Sequence, residues 1–230
     1  MPDSTPAPRR TRRKDARPAE VIAAARALFI ERGYAATKVE DVARRAGVSV
    51  GLPYLYFENK EGLFKAVVRD TILPQVAQGE DLLRSFTGPT ADLLRRVARG
   101  FLETLASPAG GLPKLVIAEA HNFPDIARFY VDEVVTRGRA FFTAIITRGI
   151  ERGEFRAVDA GHMARVVAAP LSLLSIWNHS LAPYDVNADT TAEGYIEAYL
   201  DVILAGLAMP GADGCHRLPP PPLSGKTETP

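Results

Sequence analysis

Residues 37–64, TKVEDVARRAGVSVGLPYLYFENKEGLF, combine two helix starts and one sharp break in a very short segment. The Thr37-x-x-Glu40 spacing predicts a capping box that begins one helix, and Gly47 predicts a left-handed residue that ends it. Ser49 predicts the N-cap of a second helix after a short turn. Helices of this length are not stable alone in water, so they must pack against other helices. Two capped helices joined by a glycine-containing turn indicate a helix-turn-helix.

The second of these helices contains residues that form helices poorly. Gly51 costs about 1 kcal/mol relative to Ala, and Pro53 would cost about 3 kcal/mol in a helix interior, although less in a first turn. We interpret this cost as a sign that the surface shape matters. Gly51 allows a close approach to DNA, while Tyr54 and Tyr56 can contact phosphates or sugars, with Leu55 predicted to face the core. A helix-turn-helix places the N-terminal end of its second helix in the major groove.

Positive charge is concentrated at the start of the chain. Residues 1–65 contain 13 Lys and Arg against 8 Asp and Glu, a balance of +5, whereas the whole chain carries +1. Such an asymmetry indicates a polyanionic partner. An isolated basic run is equally typical of a solvated, disordered tail, but this one precedes a helix-turn-helix. The basic residues of this arm are Arg9, Arg10, Arg12, Arg13, Lys14 and Arg17.

Between its two ends, nearly every segment of the chain is predicted to be helical. There is no sustained apolar/polar alternation of period two, and 47% hydrophobic with 24% charged residues is typical of a soluble globular protein. The predicted fold class is therefore all-α, with an N-terminal three-helix domain containing the helix-turn-helix and a C-terminal helical domain. We assign residues 1–17 to a basic disordered arm, 18–65 and 66–208 to the two domains, and 209–230 to a disordered Pro-rich tail.

Glycine, proline and capping residues predict the helix boundaries. Gly33 is predicted to cap the first helix, and Pro74 to kink or end the helix that begins near Lys60. A capping box at 190–193 is predicted to begin the last helix. Helices are predicted from 18 to Gly33 and at about 60–73, 91–106, 112–121, 124–152, 159–179 and 191–208. The last two are apolar over more than one face, which is typical of helices buried in a core or against a second subunit.

Sequence patterns of secreted, membrane-spanning and metal-binding proteins are missing. The single cysteine, Cys215, excludes a disulfide scaffold and indicates a reducing compartment. No apolar secretory segment begins the chain, and the nearly apolar stretch 163–177 is too short to span a bilayer. We therefore expect a cytoplasmic protein with no membrane partner. The four histidines, at 121, 162, 179 and 216, have no metal-ligand spacing, and no catalytic motif is found, so we predict no metal, no cofactor and no enzymatic activity.

The segment FIERGYAATKVEDVARRAGVSVGLPYLYFENKEGLFKAVV closely resembles the N-terminal domain of the tetracycline-repressor (TetR/AcrR) family of bacterial transcriptional regulators. The resemblance extends over about 18–68, and a looser one to AcrR-like regulators covers KLVIAEAHNFPDIARFYVDEVVTRGRAFFTAIITRGIERGEFR. It implies a homodimer on a palindromic operator in double-stranded DNA, and a C-terminal domain that senses an unidentified small-molecule effector and dimerises. The DNA-contacting positions that it implies are Thr37, Lys38, Val50, Gly51, Leu52, Tyr54, Tyr56 and Lys60.

This chain departs from the common family pattern GVSKGTLYYHF. Val50 replaces a frequent Lys, and Leu52 replaces a frequent Thr, so two polar groups that could contact base edges become hydrocarbon. We predict that both side chains contact thymine methyl groups, while phosphate contacts and the arm supply most of the affinity. Lys60 follows Asn59 at the start of a helix, where we expect it to meet a phosphate with help from the helix dipole.

An effector pocket is predicted among the aromatic residues of the C-terminal domain. Such pockets are mostly apolar with a few polar contacts, although each of these aromatic residues could equally pack a core. The predicted ligand-binding residues are Phe101, Leu105, Glu119, His121, Phe123, Phe142, Trp177 and Asn178. The dimer interface is assigned to the helices at about 159–179 and 191–208.

The sequence therefore predicts a dimeric, sequence-specific DNA-binding repressor that a small-molecule effector releases from its operator. A regulator without a ligand, either an activator or a constitutive repressor, is the first alternative, and a sealed C-terminal core would favour it. A helical enzyme is the second, for which a buried carboxylate or histidine pair in a cavity would be the evidence. A protein-interaction module is the third, and failure to bind DNA at low salt would favour it.

Overall fold

The computed structural model describes residues 12–185 and 191–209, with side chains from residue 18 onward except those of 108 and 109. No strand forms within these ranges, apart from an isolated bridge between Phe155 and Ala208, which confirms the predicted all-α fold. None of the described helices is both long and apolar enough to cross a membrane. The helices are α1 Arg12–Ala36, α2 Val39–Arg45, α3 Pro53–Tyr56, α4 Lys60–Thr71, α5 Leu73–Ser85, α6 Thr90–Ala106, α7 Leu112–Glu119, α8 Pro124–Tyr130, α9 Thr136–Glu151, α10 Ala160–Asn178 and α11 Ala192–Leu207.

The N-terminal helices pack around an aromatic centre. Phe29 of α1 and Phe64 of α4 meet edge to face with ring centroids 5.3 Å apart, and Tyr34 lies 5.2 Å from Phe64. Helix α2 adds Val42 to this core, while α7 and α8 add residues such as Val116. The hydrophobic core around the helix-turn-helix is therefore continuous with α7 and α8 of the C-terminal half.

A second core joins α6, α9, α10 and α11. Leu93, Ile145, Val167 and Ile196 are fully buried there, one from each of these helices. Gly149 of α9 lies against the ring of Phe155, which occupies the space where a side chain at 149 would stand. The C-terminal half is consequently a helical bundle, with α5 running along one side of it.

Several helix boundaries differ from the predicted ones. Helix α1 begins at Arg12 rather than near Pro18, because most of the residues before the proline are good helix formers, and Pro18 lies inside the helix. Pro74 ends the preceding helix as predicted, but α5 behind it was not predicted. A π-helical turn, Val131–Val135, divides the single helix predicted at 124–152 into α8 and α9.

The chain ends are only partly described. The predicted disordered arm lies outside the described residues up to residue 11, as does the predicted tail from 210 onward. Thr190 of the predicted C-terminal capping box is also outside them. Helix α11 is capped by Thr191, whose hydroxyl oxygen accepts a hydrogen bond of 3.0 Å from the amide of Gly194.

Candidate nucleic-acid interface and ligand cavity

The turn after α2 has the geometry that glycine favours. Gly47 has a φ of 66°, as predicted for the residue that ends this helix. The amide of Val48 donates to the carbonyl of Ala43 at 3.0 Å, and the amide of Gly47 donates to Arg44 at 3.2 Å. These two hydrogen bonds form a Schellman motif. Val48 packs partly buried against the N-terminal core, so the direction of the chain after α2 is well determined.

The capping box predicted at the start of α2 is wrong. Thr37 is only 1% exposed, and its hydroxyl donates to the carbonyls of Leu28 at 3.2 Å and Gly33 at 2.8 Å. The N-cap of α2 is Lys38, without a side-chain cap. The break at Gly33, with φ 83° and ψ 165°, interrupts the end of α1, and the Thr37 side chain packs back onto this end of the helix. The Thr37 side chain is therefore not available to DNA.

The second helix of the motif is shorter than predicted. Helix α3 is a single turn that starts at Pro53, and Ser49 does not cap it. A turn precedes it, in which the amide of Leu52 donates to the carbonyl of Ser49 at 2.9 Å. Because proline has no N–H to donate, it suits the first position of a helix, where that group would be unpaired.

The orientation of α3 reverses one predicted burial. Pro53 is buried, whereas Leu55, predicted to face the core, is 78% exposed. Pro53 is the buried residue of this single turn, and Phe57 directly after it packs against the N-terminal core. Leu55 lies between them in sequence and must point to the opposite side.

The exposed side of the motif carries most of the predicted DNA contacts. Lys38, Val50, Gly51, Tyr54 and Tyr56 are exposed. Nothing lies within 4 Å of where a Cβ at Gly51 would stand, so the backbone there is open to a close approach. This surface is rich in apolar and aromatic groups, which is unusual for residues on the outside of a protein.

Leu52 and Tyr54, two of the predicted DNA contacts, also interact with the protein itself. Leu52 is half-buried. The hydroxyl of Tyr54 donates to a carboxylate oxygen of Glu40 at 3.3 Å. Desolvation and the nearby charge of Glu40 raise the pKa of Tyr54.

Lys60, predicted to contact a phosphate, is half-buried and bonded to the end of α1. Its Nζ donates to the carbonyl of Ala35 at 3.0 Å and lies 4.4 Å from the centroid of the Tyr34 ring. Burial lowers the pKa of Lys60, an effect that the charge of Glu119 opposes. This placement differs from the predicted phosphate contact because the end of α1 presents unpaired carbonyls within reach of the lysine.

A cavity of about 1210 Å³ lies between α5, α6, α9 and α10. Two of the predicted ligand-binding residues, Phe101 and Phe142, line it. Residues that were not predicted contribute most of the remaining wall. The other apolar lining residues are Ile72, Val76, Leu82, Val97, Pro113, Phe141 and Leu171.

The other six predicted ligand-binding residues do not line this cavity. Leu105 is buried in the second core, and His121 is exposed. Glu119 and Phe123 face α1 instead, where Glu119 accepts a hydrogen bond from Ala35 and Phe123 packs 4.7 Å from the Tyr34 ring. Trp177 and Asn178 are exposed in the last turn of α10. Sequence alone could not orient these side chains, since the cavity is defined by helices distant from one another in the chain.

Polar groups in the cavity include one half-buried tyrosine, Tyr130. Burial raises the pKa of Tyr130 to about 12, and no hydrogen bond to its hydroxyl is formed among the described residues. Ser175 also faces the cavity, but its hydroxyl donates to the carbonyl of Gly110 at 2.7 Å. Tyr130 is therefore one polar group of the lining that a ligand could contact. Its position directly before a π-helical turn is a structural signal that the sequence pattern did not reveal.

Three arginines of α6 lie at the edge of the cavity, and two of them are paired. Arg95 pairs with Asp92 at 2.8 Å, and Arg99 pairs with Glu197 at 3.1 Å. Arg96 is exposed and forms no ion pair with any described residue. This edge of an otherwise largely apolar cavity therefore carries an available cation.

Ion pairs connect the neighbourhood of the cavity to the N-terminal helices. Glu133, in the π-helical turn that follows Tyr130, accepts two hydrogen bonds from Arg69 of α4, at 2.8 and 2.5 Å. The Arg69 guanidinium lies 4.9 Å from the centroid of the Phe129 ring. Within the described ranges, no group of three or more His, Cys, Asp or Glu side chains could hold a metal ion.

Comparison with known proteins assigns both halves of the chain. Residues 21–67 match the family profile of bacterial regulatory proteins, tetR family, and residues 86–203 match the tetracyclin repressor-like C-terminal domain. The HTH-type transcriptional repressor KstR2 of Mycobacterium tuberculosis is 27% identical over 201 residues, which cover 86% of this chain and 96% of the relative. The activator FasR of Mycolicibacterium smegmatis is 25% identical, covering 80% of this chain and 81% of FasR.

Solved structures share the fold. The ketosteroid transcriptional regulator KstR2 of Mycobacterium tuberculosis superposes with a TM-score of 0.64 at 25% identity, covering 84% of this chain and 95% of that one. FadR of Bacillus subtilis, solved in complex with stearoyl-CoA, superposes with a TM-score of 0.65 at 19% identity. The match covers 82% of this chain and 98% of the FadR chain. The chain therefore belongs to the TetR family of bacterial transcriptional regulators, which bind DNA through a helix-turn-helix and are not enzymes.

Proposed function

We propose that this protein is a dimeric repressor that binds a palindromic operator and leaves it when a small molecule occupies the cavity. The observation that carries the proposal is the 1210 Å³ cavity, lined on one side by α5 and α6 and adjoined by Tyr130. A regulator without a ligand would need no such space, and a sealed C-terminal core was the feature expected of that alternative. Because its partner is DNA, we place the protein in the cytoplasm.

Operator recognition is proposed for the exposed side of residues 49–57 and for Lys38. Val50 and Leu52 are proposed to contact thymine methyl groups, and the exposure of Leu55 adds a third apolar side chain to this surface. Tyr54 and Tyr56 are proposed to contact the sugar-phosphate backbone. Thr37 and Lys60 are left out of this set, because their polar groups are bonded within the protein.

Dimerisation is proposed through the outer faces of α10 and α11. Val166, Leu173 and Trp177 of α10 are spaced by seven and four residues, so they lie on one helix face, and all three are exposed. Val202 of α11 is exposed as well, at 70%. Exposed apolar residues concentrated on two adjacent helices are typical of a surface that a second subunit covers. Trp177, first predicted to bind the ligand, is reassigned to this interface.

The effector is proposed to be a large, mainly apolar molecule with an anionic group, of the acyl-CoA type. The cavity exceeds the roughly 300–1000 Å³ typical of small-molecule sites, which favours a ligand with a long apolar part. Arg96 at its edge is available to pair with a phosphate or carboxylate. The stearoyl-CoA bound to FadR, which shares the fold, is an example of this class.

Release is proposed to occur through α4. Arg69 joins α4 to the π-helical turn beside Tyr130, so a ligand that displaces this turn also shifts α4. A tilt of α4 in each subunit changes the separation of the two α3 helices, which must match one turn of B-form DNA. The ligand must bind the tilted state more tightly, because equal affinity for both states would shift nothing.

Binding to genomic fragments tests the proposal. Fragments of genomic DNA retained by the protein would identify the operator, whose affinity is then measured with stearoyl-CoA, with CoA and with stearate. We expect stearoyl-CoA to weaken operator binding and CoA alone to have little effect. If no ligand of this or a wider panel changed the affinity, a regulator without a ligand would replace the repressor that we propose.

Substitution of Arg96 tests the effector class. Arg96→Gln should raise the stearoyl-CoA concentration needed for half-release by about tenfold or more, as removal of a charged hydrogen bond implies. Arg139→Gln is the matched control, because Arg139 is also an exposed arginine without an ion pair among the described residues, but it does not line this cavity. Equal responses of the two variants would remove Arg96 from the effector site.

A further inference from the structure

The last turn of α1 is held by side chains from two other helices. After the break at Gly33, residues 34–36 form a turn that leads directly to α2. The carbonyl of Ala35 accepts a hydrogen bond of 3.0 Å from Lys60 Nζ of α4. The amide of the same residue donates to Glu119 Oε1 of α7 at 3.2 Å. Both backbone groups of Ala35 are thus bonded to charged side chains, and these come from opposite sides of the domain boundary.

The aromatic ring next to this contact is buried, whereas Ala35 and its two hydrogen bonds lie at the surface. Tyr34 is only 5% exposed and packs against Phe29, Phe64 and Phe123. Its ring also carries the Lys60 ammonium at 4.4 Å. Burial first, and then the nearby charge of Glu61 and Glu119, raises the pKa of Tyr34 to about 12. The Lys60 ammonium therefore lies between a buried aromatic ring and an exposed backbone carbonyl.

The helices that meet at Ala35 lead to different parts of the molecule. Helix α7 ends at Glu119, and near its start Gly110 and Pro113 line the cavity. Helix α2 begins at Val39, only four residues after Ala35. A shift of α7 along its axis therefore moves Glu119 relative to the start of the helix-turn-helix.

We propose that Lys60 and Glu119 are positioning residues that clamp Ala35 and set the orientation of the helix-turn-helix, and that Lys60 does not contact a phosphate. We call Lys60, Ala35 and Glu119 the Ala35 clamp. The proposed effect of the clamp on DNA binding requires only that the protein is a TetR-family DNA-binding protein. Its proposed effect on effector release also rests on the proposed function. The clamp assigns to Lys60 a different role from the phosphate contact that the family resemblance implies.

Salt dependence separates the two roles of Lys60. Removal of a side chain that binds one phosphate should reduce the slope of log affinity against log salt concentration by about 1. Lys60→Met keeps the aliphatic part of the side chain but removes the charge, so we expect weaker operator binding with the wild-type slope. Lys38→Met is the matched control, since Lys38 is exposed and forms no ion pair with any described residue. A slope reduced by about 1 per subunit in Lys60→Met would overturn the clamp.

Amide hydrogen exchange tests the second half of the clamp without DNA or ligand. Glu119→Ala removes the acceptor of the Ala35 amide, so that amide should exchange about 3- to 10-fold faster than in the wild type, the factor that one missing hydrogen bond implies. Glu151→Ala removes an exposed glutamate at the end of α9 and should leave the rate unchanged. Unchanged exchange at Ala35 in Glu119→Ala would contradict the clamp.

The effector response completes the test. With stearoyl-CoA as the probe, Glu119→Ala should reduce the fold by which the probe weakens operator binding, while Glu151→Ala should not. If the wild type itself shows no response to the probe, the proposed release fails, but the salt and exchange measurements still decide the clamp. If the wild type and Glu119→Ala respond equally, the clamp has no part in release.

Discussion

At the scale of single residues, buried polar groups and exposed apolar groups explain the helix-turn-helix. The buried Thr37 hydroxyl bonds the carbonyls of Leu28 and Gly33, so this side chain stabilises the corner between α1 and α2. Leu55, an apolar residue, is instead exposed to solvent. A one-turn helix can bury only one face, and in α3 Pro53 lies on that face. The burial of Thr37 and the exposure of Leu55 are therefore set by the direction in which each side chain points, and not by its polarity.

Thr37→Val should destabilise the protein. The substitution conserves shape but leaves the carbonyls of Leu28 and Gly33 without this donor, which costs about 1–3 kcal/mol in the free energy of unfolding. Urea denaturation followed by circular dichroism measures the effect. Thr87→Val is the control, because Thr87 is exposed and should change stability by less than about 0.5 kcal/mol. Equal stability of the two variants would show that the Thr37 hydrogen bonds contribute little.

Leu55→Ala should separate binding from stability. Since Leu55 is largely exposed, the free energy of unfolding should change by less than about 0.5 kcal/mol, while operator affinity decreases. Leu63→Ala, at a fully buried position of α4, should instead cost about 2–5 kcal/mol. Denaturant titration and operator titration of both variants distinguish these cases, and a large decrease in stability in Leu55→Ala would restore its predicted place in the core.

At the scale of secondary-structure elements, the π-helical turn Val131–Val135 links the cavity to α4. It follows Tyr130 at the cavity, and through Glu133 it holds Arg69 of α4. An irregular turn inside a long helix is often found at functional sites. The periodicity of the sequence predicted one continuous helix here. A π-helical turn adds a single residue to a helix, and the spacing of the apolar residues on either side changes little.

Arg69→Gln should lower stability in a pH-dependent manner. The hydrogen bonds and charge of Arg69 lower the pKa of Glu133 from its usual value of 4.5, so the pair stabilises the folded state above pH 4.5. This contribution disappears as the pH falls below 4.5 and Glu133 becomes protonated. Because both side chains are partly exposed, we expect only about 0.2–1 kcal/mol.

Unfolding of wild type and Arg69→Gln at pH 7 and at pH 3 measures this contribution. The difference between the two proteins should be present at pH 7 and should shrink at pH 3. Arg128→Gln, which removes an exposed pair with Asp125 on α8, controls for the general decrease in positive charge. A difference that grows on acidification would contradict the assigned role of Glu133.

At the scale of the whole molecule, the helices pack around two hydrophobic cores. The first joins α1, α2 and α4 to α7 and α8, so the DNA-binding helices share buried side chains with helices next to the cavity. The second joins α6, α9, α10 and α11 and leaves an apolar face of α10 and α11 exposed. This arrangement places the proposed dimer surface and the helix-turn-helix on different cores, which α5 and α7 connect.

Leu173→Asp should convert the dimer into a monomer. Leu173 is 57% exposed in the single chain, so a carboxylate there should leave the fold intact but would be buried unpaired in the proposed interface. Sedimentation analysis measures the change in mass, and circular dichroism verifies the helical content. Val131→Asp is the control, because Val131 is also exposed and apolar but lies on the π-helical turn. A dimeric Leu173→Asp would place the interface elsewhere.

Residue types and spacing alone were sufficient for the all-α fold, the left-handed Gly47, the break at Gly33 and the end of the helix before Pro74. These features depend on backbone dihedral preferences and on periodicities of a few residues, which are local properties. The burial of Thr37, the bond from Lys60 to the end of α1 and the placement of six of the eight expected ligand contacts depended instead on where distant helices lie. A cavity is a space between helices remote in sequence, and a one-turn helix has too few residues for its pattern to identify the buried face, so only the packed structure could decide them.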